Sequence, residues 1–339
     1  MSAPPLPTRG QLRVVEAATR WYLARYFDSP DDPGVTRRFT EPAQVGAFAI
    51  APEQLAAGDN AALFRLLVMT TMFQRRQDQQ ILRILRGMSP QRAREVTDRD
   101  ALLRHADACA CPHTKTNEAL INACDLTKDA TRRGACQASP TVPCVLKEHT
   151  VWLKRYGHFG KVPTSAALNL RERGHGGLEE LYASSLARLR TRDARAIACE
   201  EALTSSWRVS AKIACMFLSA ISNPDLARGL APWQRGLEWR RYVVIDSNVD
   251  LFLEAIAYRG SNTYEARRAF LREVSRRVDL RSMSRRLHRD NPRVVQQAMY
   301  VFMSASNRRA AARDCMHLGP AACRRCPRTL RERCAVRSV

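Results

Sequence analysis

Acidic residues and long apolar runs are scarce in this sequence. Its 339 residues include 33 Asp and Glu against 55 Lys and Arg, so the formal net charge is +22. A chain so positive repels itself unless an anionic partner neutralises it, and nucleic acid is the commonest such partner; a simple preference for arginine is the alternative. The longest apolar stretch, residues 214–221, is too short to cross a bilayer, and residues 1–10 lack the apolar core of a signal peptide. We therefore expect a cytoplasmic, nucleoid-associated protein with no membrane partner.

Strand patterns, internal repeats and coiled-coil heptads are also missing. Apolar residues recur at helical spacing instead, most clearly in residues 61–73, 179–189, 193–203 and 211–221. Asp59 or Asn60 can cap the first of these helices. Asn262 with Glu265 three residues later is typical of a capping box, and Asn291 as the cap opens a late helix. The pattern predicts an all-α fold.

Four of the eleven cysteines fall in the last twenty-five residues, in a chain with no sign of export. They have the spacing C-x7-C-x2-C-x7-C and are Cys315, Cys323, Cys326 and Cys334. One close pair flanked by two single cysteines is typical of a loop around a [4Fe-4S] cluster, because the pair binds two corners and the outer cysteines bind the others. A zinc ribbon usually has two C-x2-C pairs, so zinc is the less favoured metal. Four unliganded thiols are the third possibility.

A second group of cysteines interrupts the helical pattern between residues 102 and 148. Its members are Cys109, Cys111, Cys124, Cys136 and Cys144. Their spacing matches no established metal motif. With His105 and His113 they could hold zinc, and the alternative is an irregular insertion with partly buried thiols. Cys199 and Cys215 are interpreted as thiols of the hydrophobic core.

Three separated segments resemble the endonuclease III family of DNA glycosylases, the iron-sulfur branch of the helix-hairpin-helix superfamily. The terminal cysteine segment is similar to that family's cluster loop, with Pro320 before the second cysteine and Pro327 directly after the third. Its outer gaps are slightly longer than those of the family. By this resemblance the cluster shapes a basic loop, including Arg324 and Arg325, that contacts the DNA backbone.

The second segment, Ser206-Trp-Arg-Val-Ser-Ala-Lys212, lies where the family has its hairpin Leu-Pro-Gly-Val-Gly-Arg-Lys. Lys212 falls on the catalytic lysine. Arg208 and Ser210 stand in place of the two glycines, whose backbone amides approach a DNA phosphate closely. Arg208 can offer a side-chain contact to phosphate instead. The resemblance therefore implies a DNA-binding hairpin of Arg208, Val209 and Ser210.

The third segment, Val243-Val-Ile-Asp246-Ser, is similar to the family's Val-Asp-Thr-His-Val and places Asp246 on the catalytic aspartate. Gln74 falls on the glutamine that family members insert into the duplex where a base leaves. The chain between Lys212 and Asp246 is longer than in the family. The extra residues include Trp233 and Trp239, which we interpret as packing residues rather than as base-stacking ones.

The resemblance implies a two-lobe helix-hairpin-helix glycosylase with a C-terminal [4Fe-4S] loop, and we expect a monomer. It divides the chain into an N-terminal segment of residues 1–58 that packs with the C-terminal lobe, a helical barrel-like domain of residues 59–244 that carries the hairpin and the insertion, and an iron-sulfur domain of residues 245–339.

The implied activity is excision of a modified base, expected to be a pyrimidine, flipped out of double-stranded DNA. Lys212 would attack C1′ and form an imine, which permits AP lyase cleavage, and Asp246 would stabilise positive charge on the sugar. The departures from the family pattern fit a bulky or hypermodified base, such as those of phage DNA. The alternative is a non-catalytic iron-sulfur protein that binds nucleic acid on the same scaffold.

Overall fold

The structure, a computed structural model, describes residues 5–27, 29, 36–74, 76–126, 136, 138–152 and 158–336. Helices account for the regular structure of these residues, and no strand is formed among them, so the all-α prediction is confirmed. None of the described helices is long and apolar enough to cross a membrane.

Twenty α-helices follow one another along the described chain, with short 3-10 helices between some of them. The first ten are α1 (Arg9–Arg25), α2 (Pro42–Val45), α3 (Pro52–Ala57), α4 (Asn60–Met72), α5 (Asp78–Arg86), α6 (Pro90–Thr97), α7 (Arg99–Ala108), α8 (Asn117–Asn122), α9 (Val145–Trp152) and α10 (His158–Glu172). The others are α11 (Leu178–Arg188), α12 (Arg192–Thr204), α13 (Ala211–Ser222), α14 (Ser247–Ala255), α15 (Tyr264–Arg277), α16 (Leu280–Met283), α17 (Pro292–Met303), α18 (Ala305–Ala310), α19 (Pro320–Arg324) and α20 (Arg328–Arg331).

The chain forms two compact units. The first unit comprises Met1–Arg38, Leu218–Gly229 and Glu238–Val339, so the N-terminal helix shares a unit with the C-terminal helices. The second unit comprises Phe39–Phe217 and Leu230–Leu237.

Helix α17 forms the centre of the first unit, and α1, α14 and α15 pack against it. Asn291 accepts hydrogen bonds from the backbone N–H groups of Arg293 and Val294, which confirms Asn291 as the cap of α17. The cap predicted for α15 was wrong by one position. Thr263, not Asn262, accepts the hydrogen bond from the N–H of Ala266.

Helix α4 is largely buried in the second unit and packs against α6, α10 and α11. Asp59 caps it by accepting a hydrogen bond from the N–H of Ala62 at 2.8 Å, which confirms one of the two predicted caps. A short polar turn that includes Gln74 joins α4 to α5, because the apolar pattern stops after Phe73 and resumes at Ile81. This turn lies in the neighbourhood of the hairpin segment described below.

Candidate functional site

The four terminal cysteines all lie in the first unit: Cys323 lies within α19, and the others lie in the short segments before and after α19 and α20. Cys315 is buried, and Cys323, Cys326 and Cys334 are half-buried. Burial, followed by the neighbouring thiols of Cys315, Cys334 and Cys323, raises the pKa of Cys326. Cys326 thus interacts electrostatically with each of the other three cysteines that the spacing singled out.

A buried arginine joins two of these thiols. The Arg308 guanidinium is 0% exposed and donates hydrogen bonds to the sulfurs of Cys334 and Cys315, both at 3.2 Å. Its Nε also donates to Oδ2 of Asp314 at 2.8 Å. Tyr26 donates its hydroxyl to the same carboxylate oxygen at 2.6 Å. The sequence pattern did not identify Arg308, because nothing in its local sequence distinguishes it from the other arginines.

Asp314 is ionised in this setting. Burial acts to raise its pKa, but hydrogen bonds from Arg308 and Tyr26 outweigh burial and hold the pKa of Asp314 below its usual value. The Arg308–Asp314 pair therefore places a cationic hydrogen-bond donor beside two sulfurs. Hydrogen bonds of this kind around a metal-bound thiolate orient the ligand and stabilise its negative charge.

The arrangement of the four terminal cysteines is relevant to which metal their loop could bind. Among the residues that the structure describes, no three His, Cys, Asp or Glu side chains are arranged to hold a single metal ion. A zinc ion needs its thiolates at about 2.3 Å, whereas a [4Fe-4S] cluster gives each thiolate its own iron and accepts sulfurs that stand farther apart. The all-sulfur donor set with its Arg308 hydrogen bonds is compatible with such a cluster, which stays a prediction.

The hairpin segment lies in the second unit, between α12 and α13. Arg208 has a φ of 59°, in the left-handed region that favours glycine. This conformation costs a residue other than glycine about 1–2 kcal/mol. Arg208 is the position where the resemblance puts the first hairpin glycine, so the backbone here has the shape of a glycine turn although an arginine occupies it.

The side chains of the hairpin differ in exposure. Arg208 and Ser210 are exposed, whereas Val209 is buried. The N–H of Val209 donates to the carbonyl of Ser206 at 3.1 Å and closes the turn. The exposed surface of the hairpin therefore consists of Arg208 and Ser210.

Gln74 is brought to this hairpin. Its side-chain amide donates to the carbonyl of Thr71 at 2.7 Å and to the carbonyl of Arg208 at 3.3 Å. The residue predicted to enter the duplex thus lies beside the residues predicted to bind the DNA backbone. The sequence does not predict that these two residues lie close together, because they are 134 residues apart.

Buried polar residues outside the predicted site support the hairpin. The N–H of Trp207 donates to the hydroxyl of Ser165 at 2.7 Å, and that hydroxyl is hydrogen-bonded to Oδ1 of Asn117 at 2.5 Å. The Lys161 ammonium lies 4.1 Å from the centre of the Trp207 ring. No sequence signal pointed to these supporting residues, because each is an ordinary polar residue within its helix.

The two predicted catalytic side chains belong to different units. Lys212 is half-buried in the first turn of α13. Asp246 caps α14, and its Oδ1 accepts a hydrogen bond from the N–H of Val249 at 2.9 Å. A carboxylate at a helix N-terminus is stabilised in its charged form by the helix dipole and by that N–H group.

The inserted tryptophans and the arginines of the cysteine loop differ in exposure. Trp233 is 0% exposed and stacks on Tyr182 with ring centres 4.7 Å apart, and Trp239 is 3% exposed, so both pack in the interior as interpreted. Arg324 and Arg325 are exposed. Arg325 lines a groove of about 550 Å³ between α1 and the cysteine loop, together with Arg13, Arg20, Arg25 and the ring of Trp21. Four arginines and one acidic residue, Glu16, therefore line this groove.

Comparisons with models of protein families, with curated proteins and with solved structures found no match to this chain. Its function is therefore inferred from the chemistry of its own side chains: four cysteines of one loop with a buried arginine beside two of them, exposed arginines on the same loop, and an exposed hairpin with a left-handed arginine.

Proposed function

We propose that this protein is a DNA glycosylase with AP lyase activity that carries a [4Fe-4S] cluster on Cys315, Cys323, Cys326 and Cys334. The observation that carries the proposal is the left-handed backbone at Arg208, with the amide of Gln74 bonded to its carbonyl. A glycine turn next to a glutamine is the arrangement that the resemblance implies at a flipped base. Its presence despite the loss of both glycines supports descent from a functional hairpin.

Charge supports nucleic acid as the partner. The net charge of +22 is accompanied by exposed arginines at the hairpin and at the cysteine loop, namely Arg208, Arg324 and Arg325. Each can neutralise a phosphate, and the counterions released on binding make the affinity fall steeply with salt. The cluster, when bound, supplies shape to the cysteine loop and takes no part in the bond-breaking steps.

The chain's own residues perform the chemistry in this proposal. The amine of Lys212 attacks C1′ of the flipped nucleotide, the C1′–N bond breaks, and the electron pair leaves with the base, which takes up a proton. Loss of the amine proton and opening of the sugar ring leave an imine between Nζ and C1′. Removal of a C2′ proton then expels the 3′ phosphate by β-elimination. The carboxylate of Asp246 balances the positive charge that develops on the sugar.

Borohydride trapping tests this reaction directly. Borohydride reduces an imine to a stable amine, so the wild-type protein should become covalently bound to DNA that contains an excisable base or an abasic site. Lys212→Gln should give no adduct. Lys212→Arg is the matched control, because it keeps the positive charge that binds DNA but cannot form the imine. Trapping by Lys212→Arg at the wild-type level would contradict the proposal.

Asp246 needs a control that separates its capping role from its chemical role. Asp246→Asn keeps a side-chain oxygen that can accept from the N–H of Val249, so stability should be retained. The rate of base excision should fall by about 100-fold or more, since the charge on the sugar is no longer balanced. Unchanged excision by a stable Asp246→Asn protein would remove Asp246 from the mechanism.

The choice of substrate rests on two departures from the family pattern, one in the hairpin and one in the longer segment around Trp233. We propose a bulky modified pyrimidine, such as a hypermodified base of phage DNA. Duplexes that each carry one modified base, scored for abasic sites, should show excision of bulky bases in preference to simple oxidised pyrimidines. Preference for the simple oxidised bases would contradict this choice.

One observation favours a non-catalytic protein that binds nucleic acid on the same scaffold. Asp246 already serves as a helix cap, which is a sufficient structural reason for its presence. That alternative predicts salt-dependent DNA binding with no excision and no borohydride adduct. Iron analysis applies to both candidates, because both retain about four irons per chain in the terminal loop.

A further inference from the structure

The segment between α15 and α17 of the first unit carries a dense group of arginines. Residues 280–290, the arginine loop, contain four arginines and one acidic residue, whereas the whole chain has 55 Lys and Arg in 339 residues. The four arginines are all exposed, and they are Arg281, Arg285, Arg286 and Arg289. The loop therefore presents to solvent a positive charge density well above the average of the chain.

Few carboxylates offset this charge. Among the residues that the structure describes, no carboxylate forms an ion pair with Arg281, Arg285 or Arg286. The Nε of Arg289 lies 3.7 Å from Oδ2 of Asp279, but the two side chains are 77% and 46% exposed. An ion pair so exposed contributes little and leaves the guanidinium accessible to another anion. The positive charge of the loop is thus available to a partner.

The backbone of the arginine loop is held in place from several sides. Leu280 and Leu287 are buried, at 0% and 3% exposure, and fix the loop to the core of the first unit. The N–H of Leu280 donates to the carbonyl of Arg289 at 3.1 Å and joins the two ends of the loop. Asp290, the acidic residue of the loop, accepts a hydrogen bond from the hydroxyl of Ser275 at 2.6 Å.

A buried carboxylate provides a further anchor. The side chain of Asp225 is 3% exposed, and its Oδ2 accepts hydrogen bonds from the backbone N–H of His288 at 3.1 Å and from the amide of Asn291 at 2.7 Å. Its Oδ1 is hydrogen-bonded to Nδ1 of His288 at 2.8 Å. A loop that only joins two helices needs neither four exposed cations nor a buried carboxylate to hold it. The combination is typical of a preorganised binding surface.

We propose that the arginine loop is a contact surface for DNA phosphates, with Arg285 and Arg286 each neutralising one phosphate. It acts in addition to the hairpin and to the arginines of the cysteine loop, and it binds the DNA backbone without regard to base sequence. Only the choice of DNA as the partner rests on the proposed function. The contact itself requires no excision of a base.

Arginine is the cation that suits this partner. A guanidinium can bind two phosphate oxygens at once, which an ammonium cannot do, and all the exposed cations of the loop are arginines. DNA carries a phosphate at every nucleotide, so several arginines of one loop can be neutralised together. Because the backbone of the loop is held before DNA arrives, less conformational entropy is lost on binding.

The salt dependence of DNA binding tests this contact. The full-length protein is titrated against a short undamaged duplex between about 50 and 200 mM salt. Arg285→Gln with Arg286→Gln should reduce the slope of log K against log salt by about 1.8, since each phosphate contact contributes about 0.9. The affinity at about 100 mM salt should fall by about tenfold or more. Each single variant should show about half of the change in slope.

Two matched controls separate a local contact from general charge. Arg285→Lys with Arg286→Lys keeps both charges, so the slope should stay at the wild-type value while the affinity falls modestly through loss of bidentate binding. Arg188→Gln with Arg190→Gln removes two exposed charges at the end of α11 in the second unit and should leave the slope unchanged. Both controls also show whether substitution of exposed arginines disturbs the fold, which thermal unfolding measures directly.

Four results would overturn the assignment of this surface to DNA. They are an unchanged slope in Arg285→Gln with Arg286→Gln, an equal loss of slope in the Arg188 and Arg190 control, competition by polyglutamate as effective as that by duplex DNA, and a wild type that does not bind the duplex at low salt. Failure of the proposed glycosylase reaction is distinguishable, because the undamaged duplex reports binding alone and borohydride trapping reports the chemistry of Lys212.

Discussion

A buried histidine should make the second unit sensitive to acid, and its replacement by leucine should remove that sensitivity. His149 lies in α9, is 0% exposed, and its ring centre stands 5.3 Å from that of Trp152. Neither ring nitrogen has a hydrogen-bond partner among the described atoms. Burial, with a smaller contribution from His105, lowers the pKa of His149 to about 3. The folded protein therefore keeps this imidazole neutral where an unfolded chain would protonate it.

The magnitude follows from linkage between protonation and folding. Unfolded histidine has a pKa of about 6.5, so between that pH and about 3 the unfolded state binds a proton that the folded state does not. The stability is fully present above pH 6.5 and is lost as the pH falls toward the folded pKa. Each pH unit in this window costs about 1.36 kcal/mol. Lowering the pH from 7 to 5 should therefore cost about 2 kcal/mol through His149 alone.

His149→Leu removes both the titrating group and its two unpartnered nitrogens. We expect the variant to be more stable than the wild type by about 1 kcal/mol at pH 7, since burying an unsatisfied polar group costs about 1–3 kcal/mol and leucine fits the ring site imperfectly. At pH 5 the advantage should grow to about 3 kcal/mol. The measurement is urea unfolding at both pH values, followed by far-ultraviolet circular dichroism, with a metal chelator present throughout.

The matched control is His317→Leu, because His317 is exposed. It should leave the difference between pH 7 and pH 5 within about 0.5 kcal/mol of the wild-type difference. The reasoning would be refuted if His149→Leu lost as much stability between pH 7 and pH 5 as the wild type does.

Three further predictions concern single side chains. Arg208→Gly should stabilise the protein by about 0.5–1 kcal/mol in thermal unfolding, because relief of the left-handed strain exceeds the backbone entropy cost of glycine, whereas Arg208→Ala keeps the strain and should not stabilise. Arg308→Met should destabilise by about 3–5 kcal/mol in urea unfolding, because Asp314 is left buried without its cation, and Asp314→Asn in the same chain should recover part of the loss. Asp246→Ala should cost about 1 kcal/mol through loss of the helix cap, and Asp246→Asn should not.

Each of these has a clear contrary result. Equal stability changes for Arg208→Gly and Arg208→Ala would mean that backbone strain at this position is negligible. If Asp314→Asn recovers none of the stability lost in Arg308→Met, Arg308 stabilises the protein through its sulfur contacts rather than through the carboxylate. A loss in Asp246→Asn as large as in Asp246→Ala would show that the charge of Asp246, not its capping oxygen, stabilises α14.

Local rules predicted the helices well because they depend on near neighbours. Asp59 and Asn291 cap α4 and α17 as predicted, since a capping side chain bonds to N–H groups only two or three residues away. The error at α15 has the same local origin. Thr263 and Asn262 are both capping residues, and the choice between neighbours depends on the φ and ψ of the chain that enters the helix, which the sequence pattern does not specify.

The candidate site could be predicted only in part. Spacing singled out Cys315, Cys323, Cys326 and Cys334, because ligands of one centre must lie close along a short loop. The resemblance singled out the hairpin, but not that Arg208 would adopt a left-handed backbone. No local pattern predicted Lys161 beneath Trp207, because that contact depends on how α10 packs.

The sequence by itself determined an all-helical chain with a large positive charge and a thiol-rich loop at its end. These properties follow from periodicity, composition and spacing. Only the tertiary structure decided which polar groups meet. Tyr26 reaches Asp314 across 288 residues, and Gln74 reaches Arg208 across 134. The physical reason is that such contacts form when apolar helix faces pack together, and the sequence encodes those faces without stating which of them become partners.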